Sequence, residues 1–166
     1  MKTLLKKSPL LPFYLLVIGI FLIIASPTLF SDGMFMDGLI YSTTAHNLSN
    51  GLGTFWNPYF SATSMSDFHE HPPLAIGLQS IFFTLFGESR IIDKLYSILT
   101  FVFVGYIIVK IGSILNFKHA WIPLLFWLIT PIVLWASSNN MLENTLSIFT
   151  SLSVLFYLKS QNNQVC

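Results

Sequence analysis

Leu10 to Phe30 read LLPFYLLVIGIFLIIASPTLF, an uncharged run that follows Lys2, Lys6 and Lys7. A helix that crosses ~30 Å of hydrocarbon at 1.5 Å per residue needs about 20 apolar residues, and this run supplies them. It exceeds an ordinary signal-peptide core of about 7–15 residues, and no A-x-A-like cleavage site follows, so it reads as a retained helix. The rest of the chain has the same character. Hydrophobic residues make up 54% of the 166 positions and charged residues 9%, against about 25% charge in a soluble domain. That balance excludes a disordered tail, a nucleic-acid-binding arm and an ordinary soluble enzyme domain. The formal charge of +1 is too small to imply an anionic partner by itself, and one cysteine, Cys166, excludes a disulfide framework.

Four further apolar stretches follow. Leu74–Gly87 is short for a span and reads as an interfacial helix. Residues 91–115 read as a second transmembrane helix if Lys110 snorkels. Residues 120–138 read as a third, with Pro123 and Pro131 tolerated because neighbouring helices satisfy the freed backbone groups. Residues 142–158 read as a fourth. The expected fold class is thus all-α integral membrane: four transmembrane helices, an outer loop over 31–73, and one interfacial helix over 74–87.

Charge sets the orientation. With the interfacial helix flat on the outer surface, Lys2, Lys6, Lys7, Lys110, Lys118 and Lys159 fall on one side. Arg90, Lys94 and the seven acids fall on the other. The positive-inside rule favours this arrangement over one in which Leu74–Phe86 spans. Residues 1–9 and 159–166 are then cytoplasmic.

The outer loop carries the candidate chemistry. Asp37, Tyr41, Ala45 and Leu48 share one face of a short helix expected over 37–50, which Asn50-Gly51 ends. Asp37 lies at its start, where an acid can cap the helix or serve as a reactive group. His69-Glu70-His71-Pro72-Pro73 places charge and imidazole where two prolines fix the chain. It reads as a rigid lead into the interfacial helix or as a site. His69 and His71 are not a helical zinc pair, and H-E-x-x-H is absent. Glu143 stands at the start of the last helix, where the helix dipole favours an acid and where an ionisable group at a membrane boundary is also a functional candidate.

Three segments in order carry a resemblance. They are Met36-Asp37-Gly38-Leu39-Ile40-Tyr41 with Ala45, Asn47, Leu48 and Gly51, then Phe68-His69-Glu70-His71-Pro72-Pro73-Leu74 with Leu85-Phe86-Gly87-Glu88-Ser89, then Asn140-Met141-Leu142-Glu143-Asn144. Together they resemble the polytopic glycosyltransferases of the C superfamily, near the protein O-mannosyltransferase and aminoarabinose transferase branch. The resemblance runs from Phe35 to about Tyr157. It implies a sugar carried on a polyprenyl phosphate and passed to an acceptor hydroxyl of a glycan, lipid or protein. The active loop would face away from the cytoplasm of a bacterial or archaeal cell membrane. Nucleic acid is not an expected partner.

By that resemblance Asp37 takes the place of the general base. Glu143, with Glu70 and His71, takes the place of groups that hold the donor phosphate or a divalent metal such as Mg or Mn. Lys94 fits best where the family usually has an arginine, supplying charge to the phosphate without bidentate geometry. Some relatives have Asp-Glu where this chain has Asp37-Gly38. Family members are also usually longer, so the chain is expected to be the N-terminal portion of the enzyme, with a downstream membrane segment as partner. The alternative expectation is a non-catalytic membrane subunit or fragment that packs or binds lipid only.

Overall fold

A computed structural model describes residues 10–31 and 33–164. The expectations for Lys2, Lys6, Lys7, Asp32 and Cys166, and for the 1–9 segment as a whole, lie outside the described residues. Among those residues the chain is mostly helical, in the order α1 (Leu11–Phe30), α2 (Met36–Ser49), β1 (Tyr59–Ser61), β2 (Met65–Asp67), α3 (Leu74–Phe86), α4 (Arg90–Ile114), α5 (Trp121–Ile129), α6 (Pro131–Ser138) and α7 (Leu142–Gln164). It divides into two compact units.

Among the described residues the first unit holds 10–31, 102–135 and 147–164. Helix α1 buries Val17, Phe21 and Ala25, a single stripe at spacings of four. Leu15, Leu16, Leu22 and Ile23 are exposed, as suits a helix whose solvent is lipid. Near its start, Phe13 stacks on Trp121 at 5.1 Å between ring centroids. Gly105 and Gly112 let α4 close on its neighbours: a Cβ at either would meet Leu124 Cδ1 or Ala120 Cβ at 3.1 Å.

Helices α1 and α4 are each long and apolar enough to cross a membrane. The third apolar stretch, expected as one helix, is a pair bent by 66° between α5 and α6. Pro131 has no N–H for the preceding turn, and it drives Thr130 to an extended ψ of 121°. If the bent pair counts as one span, three segments are long and apolar enough. Helix α7 is long, but Glu143, Asn144, Lys159 and several serines and threonines dilute its apolar character. It also runs on to Gln164 rather than ending at Leu158.

The second unit holds residues 32–101 and 136–146. Its core is Tyr41, Ala45, Phe68, Ile76 and Phe83, flanked by Leu48, Phe60 and Ile92. Helix α2 supplies Tyr41 and Ala45 from the face expected to be shared, and its bounds fall within one residue of expectation. The all-α expectation needs correction here, because β1 and β2 form an antiparallel hairpin, Tyr59 opposite Asp67 and Ser61 opposite Met65. Strands of three residues are too short to show alternation. The hairpin is held by Asn47, whose Nδ2 donates to the carbonyls of Tyr59 and Phe60 at 3.0 and 2.9 Å.

Helix α3 forms as expected from Leu74. It buries Ile76, Gln79, Ser80 and Phe83 against the unit. The apolar stripe of Leu74, Leu78 and Leu85 is left exposed.

Candidate functional site

Helix α2 positions the first group of side chains. Its N-cap is Phe35, extended at ψ 152°, and the Phe35 N–H donates to Asn139 Oδ1 at 2.7 Å. Asp37 is therefore not the cap. It sits in the first turn, half-buried, where the helix dipole favours a carboxylate. Gly38 follows because the turn before α7 closes directly on it: a Cβ there would lie 1.8 Å from the Asn139 carbonyl oxygen. The Asp37-Gly38 pair thus has a steric cause. A second acid at position 38 would clash with Asn139, whose neighbour Asn140 is left-handed at φ 53°.

One turn past Asp37, Tyr41 gathers the group. Tyr41 Oη and His71 Nε2 share a hydrogen bond of 3.0 Å. The two rings meet edge-on at 5.4 Å, and Phe68 lies edge-on to Tyr41 at 6.0 Å. Burial, followed by the charges of Asp37, Glu143 and Glu70 in that order, pushes the Tyr41 phenol up to about 12. Of the four sequence-predicted residues, His71 touches the phenol, while Asp37, Glu143 and Glu70 act on it through their charge. Glu70, His71 and Glu143 are exposed at the surface of the unit. Tyr41 was legible only as a helix-face residue; its place four residues after Asp37 was the signal that it shares the site.

Lys94 occupies different surroundings. It is 7% exposed and lines a hollow of about 670 Å³ on the other face of α2, with Ser42, His46, Asn50, Glu88 and Asp93. Asp93, 4% exposed, accepts a hydrogen bond from Ser42 Oγ at 2.5 Å. His46 lies between two carboxylates, Nε2 at 3.5 Å from Asp93 Oδ1 and Nδ1 at 3.5 Å from Glu88 Oε2. Asn50 donates to the same Glu88. His46 also stands edge-on to Phe83, with centroids 4.0 Å apart. The sequence offered one pointer to this cluster, an ionisable Asp93 at the head of a long apolar helix.

Asn144 is placed by two hydrogen bonds, to Ser97 Oγ at 3.0 Å and to the Ala136 carbonyl at 2.8 Å. Tyr96 Oη lies 3.0 Å from Thr145 Oγ1. These bonds fix the first turn of α7 and with it Glu143. Carboxylates with an imidazole suit a hard divalent cation in donor chemistry. No three His, Cys, Asp or Glu side chains among the described residues converge as metal ligands. No protein-family model matches the chain, and neither does any curated protein or solved structure.

Proposed function

We propose that the chain is the catalytic N-terminal module of a membrane glycosyltransferase, moving a sugar from a polyprenyl-phosphate donor to an acceptor hydroxyl outside the cytoplasm. One observation carries the reading. Residues from three separated motifs act on Tyr41: its Oη and His71 Nε2 share a hydrogen bond of 3.0 Å, and the charges of Asp37, Glu143 and Glu70 raise its phenol. A core helix needs no such collection of acids, whereas a reaction that removes a proton and expels a phosphate does.

Asp37 is the base. It takes the acceptor's proton as the acceptor oxygen bonds to the sugar's anomeric carbon. The carbon–oxygen bond to phosphate breaks on the opposite side, and the polyprenyl phosphate leaves with the electron pair. A single displacement of this kind inverts the anomeric centre. Tyr41 keeps its proton at neutral pH and can donate it to His71 or to a bound oxygen. Glu143 would help to hold a divalent cation, which would neutralise charge on the donor phosphate.

The membrane reading is four spans, with α5–α6 and α7 as the third and fourth, and a cell-membrane location with residues 31–94 and 139–143 outside. With Cys166 removed, a cysteine at Ser64 is labelled from outside and one at Ser113 is not. Labelling of Ser113 from outside overturns the topology. For the chemistry, Glu143→Gln in an active protein carrying this segment raises the donor KM more than it lowers thermal stability. Transfer of labelled sugar in membranes measures it, and an unchanged donor KM removes Glu143 from the donor site.

A further inference from the structure

The loop between α2 and β1 displays a tryptophan that has no place in the core. Trp56 is 74% exposed. Its position is nevertheless fixed. The Thr54 N–H donates to the Asn57 carbonyl at 2.9 Å, the Asn57 N–H donates to Thr54 Oγ1 at 3.1 Å, and Gly53 bridges to Pro58. Phe55, next to it, lies against Gly77 of α3 so closely that a Cβ there would meet the ring at 2.5 Å. Trp56 stands edge-on to Phe55 at 5.0 Å. The turn is closed and anchored, and it holds a large ring out of the core at a cost in exposed apolar surface.

The ring borders a hollow of about 400 Å³ lined also by Phe68, His69, Glu70, His71 and Pro72. The size lies toward the lower end of the ~300–1,000 Å³ range of small-ligand sites. Phe68 is fixed as part of the floor by its N–H, which donates to the Pro58 carbonyl at 2.8 Å. The lining also carries a carboxylate and two imidazoles. One of these, His71, bonds to Tyr41 and so joins the hollow to the group around Asp37.

We infer that this hollow is the acceptor subsite and that the acceptor is a carbohydrate. A sugar ring has an apolar C–H face and a rim of hydroxyls. The C–H face suits the electron-rich face of an indole, while the rim suits Glu70 and His69 as hydrogen-bond partners. The proline and phenylalanine lining favours the same amphipathic ring over a free ion. The assignment rests on the glycosyltransferase reading, since the subsite's use follows from the His71–Tyr41–Asp37 continuity. Of the three acceptor classes, it selects the glycan over a hydroxyl-bearing protein or lipid.

Two measurements separate this proposal from the reading beneath it. The first is binding alone, with the full chain in detergent titrated with methyl β-D-glucopyranoside, methyl α-D-mannopyranoside and a Ser/Thr-containing peptide. Saturation-transfer NMR is expected to show contact with a glycoside through its ring C–H protons. Trp56→Ala abolishes the contact, and Trp56→Phe retains part of it. Contact by the peptide and by neither glycoside overturns the proposal, as does glycoside contact that survives Trp56→Ala.

The second is transfer by an active protein carrying this segment. Trp56→Ala raises the acceptor KM by about tenfold, the loss of one stacked ring, with donor KM unchanged. An equal rise in donor KM, or none in either, overturns the acceptor role. If no transfer occurs in any form of the protein while glycosides still bind through Trp56, the glycosyltransferase reading fails and the carbohydrate site stands.

Discussion

The two faces of α2 come from the same 14 residues and do opposite things with charge. On one face Asp37 stands in the first turn beside Tyr41, and the acids that accompany it, Glu70 and Glu143, are exposed. On the other, Asp93 and Lys94 are buried, and Ser42 and His46 attend the carboxylate. A buried acid that already accepts a hydroxyl's hydrogen bond is held by the fold, since losing that donor leaves a buried acceptor short of a partner at a cost. Acids at the surface, as Glu70 and Glu143 are, keep their oxygens open to solvent. The difference teaches that burial and partnership, more than the presence of a carboxylate, separate an acid held by the fold from one left open to solvent.

The sharpest way to break that comparison is to neutralise one acid on each face. Asp37→Asn is expected to cut sugar transfer by at least roughly 10²-fold in an active protein carrying this segment, with unfolding unchanged. Asp93→Asn is expected to shift thermal unfolding while transfer by the folded fraction stays near normal. Transfer assays beside unfolding in detergent read both, and the reverse pattern would exchange the roles of the two faces.

Glycines give the next contrast. Gly38→Ala drives a methyl into the Asn139 carbonyl, and overpacking of that kind costs about 1–3 kcal/mol. Gly19→Ala in α1 meets nothing within 4 Å and is expected to stay within about 0.5 kcal/mol of the parent. Chemical denaturation of the two variants in one detergent compares them. Equal stability would mean that the α2 start does not sit against the turn before α7.

Ser42→Ala sharpens the second face alone. It removes the hydroxyl from Asp93 and is expected to cost about 1.5 kcal/mol, the low end for a hydrogen bond to a charged group. Donor and acceptor KM should not move.

The smallest effect is a titration. Folding raises the Tyr41 phenol from 10.0 to about 12, so the stability that its proton carries is complete below pH 10 and is lost as pH climbs through about 12. Tyrosinate absorbance is expected to show one late component that disappears in Tyr41→Phe and moves to lower pH in Asp37→Asn. A component unchanged by Asp37→Asn would place that acid away from the phenol.

The sequence made the first face easier to read than the second. Asp37, Tyr41, Ala45 and Leu48 recur at helical spacing, and the proline-flanked His69-Glu70-His71 run is local in the chain. Glu143 is remote from both, yet it follows a motif whose order could be matched. The second face depends on Ser42 meeting Asp93 across 51 positions, and on an acid inside a stretch whose apolar composition spoke only for a membrane helix. Lys94 fits the donor phosphate by its place in a motif, and its burial to 7% exposure is a tertiary outcome that no spacing announces. The hairpin was missed because each strand contributes three residues. The break at Thr130 was missed because proline in a membrane helix is often absorbed by its neighbours.

That break has a geometric consequence. A nine-residue arm such as Trp121–Ile129 reaches only about 13 Å along its axis, under half of a ~30 Å hydrocarbon layer. Set in a bilayer, α5 and α6 would act as an elbow, one arm steep and the other shallow. Thr130 keeps both its backbone bonds at the bend, its N–H to the Phe126 carbonyl at 3.1 Å and its carbonyl to the Leu134 N–H at 2.9 Å. The bent pair would cover less depth than a straight helix of the same length, and the bilayer would thin beside it to match.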